Sequence, residues 1–204
     1  MLIKVCGITN KSIANKTIEY GVDALGFVFA KSKREISFID AENIINSLEK
    51  EILKVGVFVD APINMVNEYV EKLKLNIVQL HGDETPNYCK DVKANVIKAI
   101  SIKEENDVNK VYDYKNLYGY LFDRKGEIYK GGEGKTFNWS FLNSLNENIR
   151  KKLILAGGLN INNIENAINS VNPFMVDVSS GVEKNGIKDE ILIKEFIEKI
   201  RGIK

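Results

Sequence analysis

The chain has 204 residues, of which 44% are apolar and 28% are charged, a composition typical of soluble globular proteins. Its 29 Lys and Arg residues nearly balance 28 Asp and Glu residues, so charge gives no argument for nucleic-acid binding. No apolar run approaches about 18 residues, and the N-terminus lacks the features of a signal peptide, so we expect neither a membrane span nor secretion.

The cysteine content favours a cytoplasmic protein. Only Cys6 and Cys89 occur, and neither lies in a metal-binding or disulfide-like spacing, so we expect reduced thiols and no metal site. No proline-rich or serine-rich linker divides the chain, and we therefore expect one domain covering residues 1–204.

Eight short apolar runs follow one another along the chain. Each is rich in β-branched or aromatic residues and is closed by Gly, Asp, His or Ser, which is typical of buried strands. We predict strands at Leu2–Cys6, Ala24–Phe29, Leu53–Val59, Asn76–Leu80, Val96–Ile100, Leu117–Phe122, Lys152–Ala156 and Phe174–Val178.

Helical periodicity separates several of these runs. Apolar residues recur at i, i+3 and i+4 within residues 65–73, 161–171 and 193–200. Asp40 and the pair Asn162 and Glu165 are predicted helix starts, the latter as a capping box. The segment Ser101–Asn116 is charged and weakly periodic, and it carries the weakest helix prediction.

Eight strands that alternate with helices predict parallel βαβ units, and eight is the number that closes a (β/α)₈ TIM barrel. An open doubly wound sheet is the alternative. That fold favours a glycine-rich turn after the first strand, and "CGITNKS" does not contain GxGxxG. We therefore predict an α/β protein with a single-domain TIM barrel.

One glycine-rich stretch resembles an ATP-binding loop but does not fit it. "GGEGKT" at Gly131–Thr136 needs a glycine where Tyr129 stands. We interpret the stretch as a glycine-rich loop over a pocket, without ATP.

Two adjacent loops near the C-terminus carry a phosphate signal. "LILAGGLN" places Gly157 and Gly158 after a strand, and "VDVSSGVE" places Ser180 and Glu183 at capping-box spacing. In TIM barrels the loops after strands seven and eight commonly bind phosphate. Small residues that serve turn geometry alone are the alternative explanation.

Two proton-transferring groups are predicted at one rim of the barrel. Cys6 shares a strand face with Lys4, which we expect to be the lumen, and Asp123 closes the sixth strand. A buried core cysteine and a turn-capping aspartate are the simpler alternatives. Gly7 is expected to leave room for a substrate beside the thiol.

The ordered motifs resemble a known family. "KVCGIT", "GVDALGFVFAKSKREIS", "VGVFVD", "VQLHGDE", "GGEGKTFNW", "LAGGLN" and "FMVDVSSGVE" follow the order and spacing of the phosphoribosylanthranilate isomerases of tryptophan biosynthesis, from Lys4 to about Asp189. The resemblance implies a cofactor-free Amadori rearrangement of N-(5-phosphoribosyl)anthranilate to 1-(2-carboxyphenylamino)-1-deoxyribulose 5-phosphate. It also implies a small-molecule substrate, no nucleic-acid or membrane partner, and a monomer or homodimer.

The same resemblance assigns roles to residues. It implies that Asp123 is the general acid and Cys6 the general base, and we expect Lys4 to favour the thiolate. Arg34 matches the arginine that receives the anthranilate carboxylate, with an exposed surface arginine as the alternative. His81 matches a position at the pocket rim, with a satisfied core histidine as the alternative.

The phosphate end matches at six positions: Gly157, Gly158, Asp177, Ser179, Ser180 and Gly181. Asp177 suits a dianion poorly, so we expect it to orient backbone donors or to pair with Lys4. Two departures occur, Glu133 for a small residue and Asn138 for aspartate. We expect Glu133 to face solvent, because a carboxylate pointing inward would repel an anionic substrate.

Two rival functions stay open at this point. The histidine-pathway Amadori isomerase shares the phosphate end but has an aspartate where Cys6 stands. A non-catalytic phosphosugar-binding barrel is the rival from another class, with Glu133 as its mark of lost activity.

Overall fold

The computed structural model describes residues 1–124 and 136–203, and its main sheet is a closed barrel of eight strands in sequence order. The strands are parallel, and β1 pairs with both β2 and β8, which excludes the open doubly wound sheet. The strands are β1 Leu2–Cys6, β2 Ala24–Val28, β3 Leu53–Phe58, β4 Ile77–Leu80, β5 Asn95–Ile102, β6 Gly119–Arg124, β7 Leu153–Leu155 and β8 Met175–Val178. All eight predicted strands are confirmed.

Helices lie between the strands, and one short hairpin follows the last of them. The α-helices are α1 Lys11–Glu19, α2 Phe38–Ile45, α3 Ile63–Leu73, α4 Pro86–Asp91, α5 Glu147–Arg150, α6 Ile164–Val171 and α7 Glu190–Gly202. Further 3₁₀ helices cover Glu105–Asp113, Trp139–Ser144 and Ser180–Val182, and the hairpin pairs β9 Glu183–Lys184 with β10 Ile187–Lys188. Within the described ranges, no helix is long and apolar enough to cross a membrane.

The predicted helix starts are wrong in detail. Helix α2 begins after Ser37, whose Oγ accepts a hydrogen bond from the backbone N–H of Asp40 at 3.1 Å. Asp40 therefore lies in the first turn. Helix α6 begins after Asn163 rather than Asn162, and its N-cap makes no side-chain hydrogen bond to the helix.

The weakest helix prediction forms a 3₁₀ helix, Glu105–Asp113. Asp107 caps it, because its Oδ2 accepts the backbone N–H groups of Lys103 at 2.8 Å and Glu104 at 3.0 Å. The buried residues of this helix, Val108 and Val111, are three positions apart, which matches the period of a 3₁₀ helix.

The barrel lumen is apolar in its lower part and polar at the C-terminal ends of the strands. Alternate side chains of the strands point inward and form one apolar cluster, as the period of two requires. Its buried members are Ala24, Val55, Ile77, Ile97, Ala99, Leu121, Ile154, Ala156 and Met175. Continuing the same alternation, β1, β4, β6 and β8 place polar side chains above this cluster: Lys4, Cys6, Gln79, His81, Asp123 and Asp177.

Candidate active site

A buried ion pair forms the floor of the polar layer. Lys4 is fully buried, and its Nζ donates to both carboxylate oxygens of Asp177 at 2.9 Å. The two residues are direct partners in the β1–β8 register. Burial acts to lower the pKa of Lys4, but attraction to Asp177 and Cys6 outweighs it, so that pKa is raised. The expected pairing of Asp177 with Lys4 is confirmed.

Cys6 lies in the lumen at the C-terminal end of β1, with 7% of its surface exposed. A Cβ on Gly26 would stand 2.8 Å from Cys6 Sγ and 3.1 Å from Lys4 Cε, so only glycine fits beside the thiol on β2. Sequence reasoning missed Gly26, although a glycine inside a strand commonly marks a close approach.

Burial raises the pKa of the Cys6 thiol, and the neighbouring Lys4 ammonium opposes that rise. Lys4 therefore acts in the expected direction, towards the thiolate, but desolvation is the larger influence. The Cys6 thiol is therefore a buried group that lies beside the Lys4 ammonium.

Gly7 adopts a positive φ of 84°, which favours glycine. A Cβ there would stand 2.6 Å from Arg34 Cδ. The position of a side chain at residue 7 is therefore occupied by the aliphatic stem of Arg34, and the room for a substrate beside the thiol stays a prediction.

Arg34 is not an exposed surface arginine. Its Nε donates to Glu183 Oε1 at 2.6 Å and its Nη2 to Oε2 at 2.8 Å, with 17% and 6% of the two side chains exposed. Hydrogen bonding to Glu183 raises the pKa of Arg34. A bidentate pair of this kind fixes the plane of the guanidinium.

Lys188 joins Glu183 from the other strand of the hairpin. Its Nζ donates to the Glu183 carboxylate, to Ser179 O at 3.1 Å and to Ser179 Oγ at 3.3 Å. Ser179 Oγ in turn donates to Cys6 O at 3.0 Å. The predicted capping box between Ser180 and Glu183 is wrong, because the Glu183 carboxylate is held by Arg34 and Lys188 instead.

His81 faces Asp123 across the rim, with its Nε2 3.5 Å from Asp123 Oδ2. On the other side of the ring, Nδ1 lies 3.1 Å from Gln79 Nε2. Sequence reasoning missed Gln79, which is 1% exposed. It lies two residues before His81 and therefore on the same face of the strand.

The position of the Asp123 carboxylate requires a glycine at residue 157. The φ of Gly157 is +83°, and a Cβ would stand 2.7 Å from Asp123 Oδ1 and 2.9 Å from the backbone nitrogen of Arg124. The first glycine of "AGG" therefore gives the carboxylate its place at the end of β6.

The predicted phosphate residues lie in two loops that pack on each other. Gly158 has a φ of 63°, and its carbonyl accepts hydrogen bonds from the side chains of Asn160 at 3.1 Å and Asn163 at 2.9 Å. A Cβ on Gly181 would stand 1.8 Å from Leu159 O. Ser179 precedes the 3₁₀ helix that begins at Ser180 and makes no side-chain hydrogen bond to it. Phosphate binding there stays a prediction.

A further buried ion pair holds the loop that follows β4. Lys98 Nζ donates to Glu84 Oε2 at 2.9 Å, to Gly82 O at 2.7 Å and to Leu80 O at 3.3 Å. Lys98 lies on the outer face of the barrel, since its neighbours Ile97 and Ala99 belong to the lumen cluster. The carbonyl groups on either side of His81 are therefore fixed from outside the lumen.

Glu133 and Asn138 are the two departures from the family pattern. Glu133 and most of "GGEGKT" lie outside the described residues. Asn138 caps the helix Trp139–Ser144, since its Oδ1 accepts from the backbone N–H of Ser140 at 3.1 Å. In residues 1–124 and 136–203, no group of three or more His, Cys, Asp or Glu side chains is arranged to hold a metal ion.

Comparisons with known proteins agree on one family. The family described as N-(5'phosphoribosyl)anthranilate (PRA) isomerase matches residues 3–199. An N-(5'-phosphoribosyl)anthranilate isomerase of Bacillus cereus is 47% identical over 199 residues, covering 98% of each chain.

Solved structures give the same result. A phosphoribosyl anthranilate isomerase from Thermotoga maritima is 40% identical, with a TM-score of 0.88 and 99% of each chain covered. Another is the enzyme in complex with reduced 1-(o-carboxyphenylamino)-1-deoxyribulose 5-phosphate, 38% identical, with a TM-score of 0.85 and coverage of 99% of this chain and 100% of that one. The match favours this family over the histidine-pathway isomerase. The chain therefore belongs to the phosphoribosylanthranilate isomerase family.

Proposed function

We propose that this barrel converts N-(5-phosphoribosyl)anthranilate to 1-(2-carboxyphenylamino)-1-deoxyribulose 5-phosphate with Asp123 as general acid and Cys6 as general base. The observation that carries the assignment is the shared position of the two groups. Both lie in the polar layer of the lumen, at the C-terminal ends of β1 and β6, where TIM-barrel enzymes place their catalytic residues.

The first step opens the sugar ring. Asp123 gives a proton to the furanose oxygen, the bond from that oxygen to C1 breaks, and the lone pair of the anilino nitrogen forms a C1=N Schiff base. His81 faces the same carboxylate at 3.5 Å, which suits it to orient Asp123 and to contact the substrate at the rim.

The second step moves the double bond. The Cys6 thiolate removes the proton from C2, the C2–H electrons form a C1=C2 bond, and the Schiff-base π electrons return to nitrogen. Protonation of C1 and loss of the enol proton then give the C2 ketone, so no external oxidant or reductant takes part. Lys4 supports this step, because its ammonium favours the charged form of the thiol.

The two ends of the substrate are anionic, and each has a candidate receptor. Arg34 is placed for the anthranilate carboxylate, since a guanidinium binds carboxylates in a bidentate manner. The loops with Gly157, Gly158 and Ser179 to Gly181 are placed for the phosphate, at the position after β7 and β8 that barrels commonly use. Asp177 supports the site through Lys4 rather than by touching the dianion.

The assignment is tested by the fluorescence of the anthranilate group, which should decay when enzyme is added to substrate. Cys6→Ala and Asp123→Asn should each lower kcat by about 10²–10⁴-fold with little change in KM. Cys89→Ala is the matched control, because Cys89 is also buried and free but lies on α4. A Cys6→Ala enzyme with the kcat of the wild type would remove the thiol from the mechanism.

The rival function is a non-catalytic phosphosugar-binding barrel. It predicts stable substrate fluorescence together with retained binding of the phosphosugar. The presence of Cys6, Asp123 and Arg34 at one rim argues against it. We further propose that the chain works as one domain in the cytoplasm, as a monomer or homodimer.

A further inference from the structure

The hairpin formed by β9 and β10 contains two buried charges that the reaction above does not use. Glu183 and Lys188 are direct partners in the hairpin register, and their side chains are 6% and 4% exposed. Buried acidic and basic side chains are rare unless they are paired. The pair is also placed directly after the predicted phosphate loop.

Glu183 fixes Arg34 on one edge. The carboxylate takes the Nε and Nη2 hydrogens of the guanidinium at 2.6 and 2.8 Å, and the arginine stem packs against Gly7. A guanidinium has five N–H donors in a planar fork. The donors on the Nη1 side therefore keep a fixed direction, from which they can meet a second carboxylate.

Lys188 connects this arginine to the rest of the site. Its ammonium binds Glu183 and the carbonyl and hydroxyl of Ser179, and the Ser179 hydroxyl binds the carbonyl of Cys6. One chain of contacts thus runs from the guanidinium through the phosphate loop to the strand of the thiol. It fixes the spacing between the receptors for the two ends of the substrate.

The charges of the cluster also suit an incoming anion. With all three groups charged, Arg34, Lys188 and Glu183 together carry a positive balance. Burial lowers the pKa of Lys188, and its hydrogen bond to Glu183 opposes that effect. Although burial acts to raise the pKa of Glu183, hydrogen bonds from Arg34 and Lys188 lower it. Without Lys188, the Glu183 carboxylate would neutralise Arg34 and weaken its attraction for a second carboxylate.

We propose that Glu183 and Lys188 are positioning residues that hold Arg34 in the orientation needed to bind a ring carboxylate, and that they thereby set the selectivity of the site for carboxylated anilino sugars. This inference rests on the proposed role of Arg34. It adds a function for the hairpin, which touches the substrate only through the arginine.

The test compares two competitive inhibitors that differ by one group. They are reduced 1-(o-carboxyphenylamino)-1-deoxyribulose 5-phosphate and its counterpart without the ring carboxylate, each titrated against turnover. Glu183→Gln and Lys188→Met should each bind the carboxylated inhibitor about tenfold more weakly than the wild type, the effect of weakening one charge-assisted hydrogen bond. Glu183→Gln should bind the carboxylate-free inhibitor as the wild type does. Lys188→Met, which also loses its contacts with Ser179, should weaken the binding of that inhibitor less than that of the carboxylated one.

Controls separate positioning from general damage. Glu183→Asp should recover part of the lost selectivity, because it keeps the charge at a shorter reach. Glu68→Gln removes an exposed carboxylate that pairs with Lys72 on α3, and it should change neither inhibition constant. Equal weakening of both inhibitors in Glu183→Gln and Lys188→Met would overturn the inference, as would wild-type selectivity in the two variants.

Arg34→Met distinguishes this inference from the function beneath it. If Arg34→Met binds the two inhibitors with the selectivity of the wild type, the carboxylate role of Arg34 fails, and the inference fails with it. If Arg34→Met loses the selectivity but the two hairpin variants keep it, only the positioning role fails.

Discussion

Two buried lysine–carboxylate pairs stand on opposite sides of the barrel wall and serve different purposes. In the lumen, Lys4 pairs with Asp177 at 2.9 Å directly below Cys6. Outside the wall, Lys98 pairs with Glu84, also at 2.9 Å. The two pairs share their chemistry, their distance and their burial, so any difference in function must come from what else surrounds each ammonium.

Their remaining contacts differ. Lys98 also donates to the carbonyls of Leu80 and Gly82. It therefore holds the loop that carries His81. The other neighbour of Lys4 is the Cys6 thiol, whose pKa it lowers against the effect of burial. Lys4 is therefore the lysine positioned to act on the thiol proposed as the general base.

The largest expected effect is on stability, and it should be similar for both pairs. Lys98→Met and Lys4→Met each leave a buried carboxylate without its cation, which costs about 3–5 kcal/mol of unfolding free energy. Urea denaturation measures this loss. The double variant Lys98→Met/Glu84→Gln should be more stable than Lys98→Met, because it removes the stranded charge. A double variant less stable than the single one would show that the pair is not what Lys98 contributes.

Gly26→Ala should disturb Cys6 and leave the Lys98–Glu84 pair unchanged. The new Cβ would stand 2.8 Å from Cys6 Sγ and 3.0 Å from the Cys6 Cα, and overpacking of this kind costs about 1–3 kcal/mol. We expect kcat to fall as well, because the thiol must move. Gly202→Ala is the control, since nothing lies within 4 Å of a Cβ there; it should not reduce kcat. Wild-type kcat in Gly26→Ala would show that the position of the thiol is not critical.

The pH dependence should separate the two lysines. Activity that requires the thiolate rises with pH as Cys6 loses its proton, and Lys4 lowers the pKa at which this happens. Lys4→Met should therefore move the rising limb of kcat/KM to higher pH. Lys98→Met should leave the limb in place. An unmoved limb in Lys4→Met would contradict the electrostatic role of the lysine.

The smallest expected effect on stability belongs to an ion pair at the surface, Lys110 with Asp107. Lys110 is 61% exposed beside Asp107, and Asp107 also caps a 3₁₀ helix. Burial acts to raise the pKa of Asp107, but hydrogen bonds from Lys110 and from two backbone N–H groups lower it to about 2.

Asp107→Ala should cost about 1 kcal/mol at neutral pH, the usual effect of losing a cap. A carboxyl whose pKa is lowered by folding stabilises the protein above its unfolded pKa, and this stabilisation is lost as pH falls through its folded pKa. The deficit should therefore shrink between about pH 4 and pH 2. A deficit that is constant across this range would assign the effect to the helix backbone rather than to the charge.

The sequence predicts the fold of this protein well because the barrel is encoded locally. Each strand is a short β-branched run that ends at its own closing residue. The eight strands then pair in sequence order to close the barrel. The lumen position of Lys4 and Cys6 also follows, since it depends on a period of two. The capping residues are harder to predict from sequence. Ser37 and Asp40 are equally suitable N-caps by residue type, and so are Asn162 and Asn163.

The predicted site residues gather at the C-terminal rim, but their partners could not be read from the sequence. Arg34 and Glu183 are far apart in the chain, and their pairing depends on how the hairpin folds back over β1. Gln79 looks like any polar residue in a strand until the register places it in the lumen below His81. Gly26 and Gly157 look like ordinary turn or strand glycines until Cys6 and Asp123 are placed beside them.

The division of work between Cys6 and Asp123 is the central claim, and an isotope effect tests it most directly. Substrate with deuterium at C2 is compared with unlabelled substrate by kcat/KM in two variants. In Cys6→Ala, C–H cleavage should limit the rate, so a large deuterium isotope effect is expected. In Asp123→Asn, ring opening should limit the rate, and the isotope effect should fall towards unity. Equal isotope effects in the two variants, or a larger one in Asp123→Asn, would contradict the assignment of Cys6 as base and Asp123 as acid.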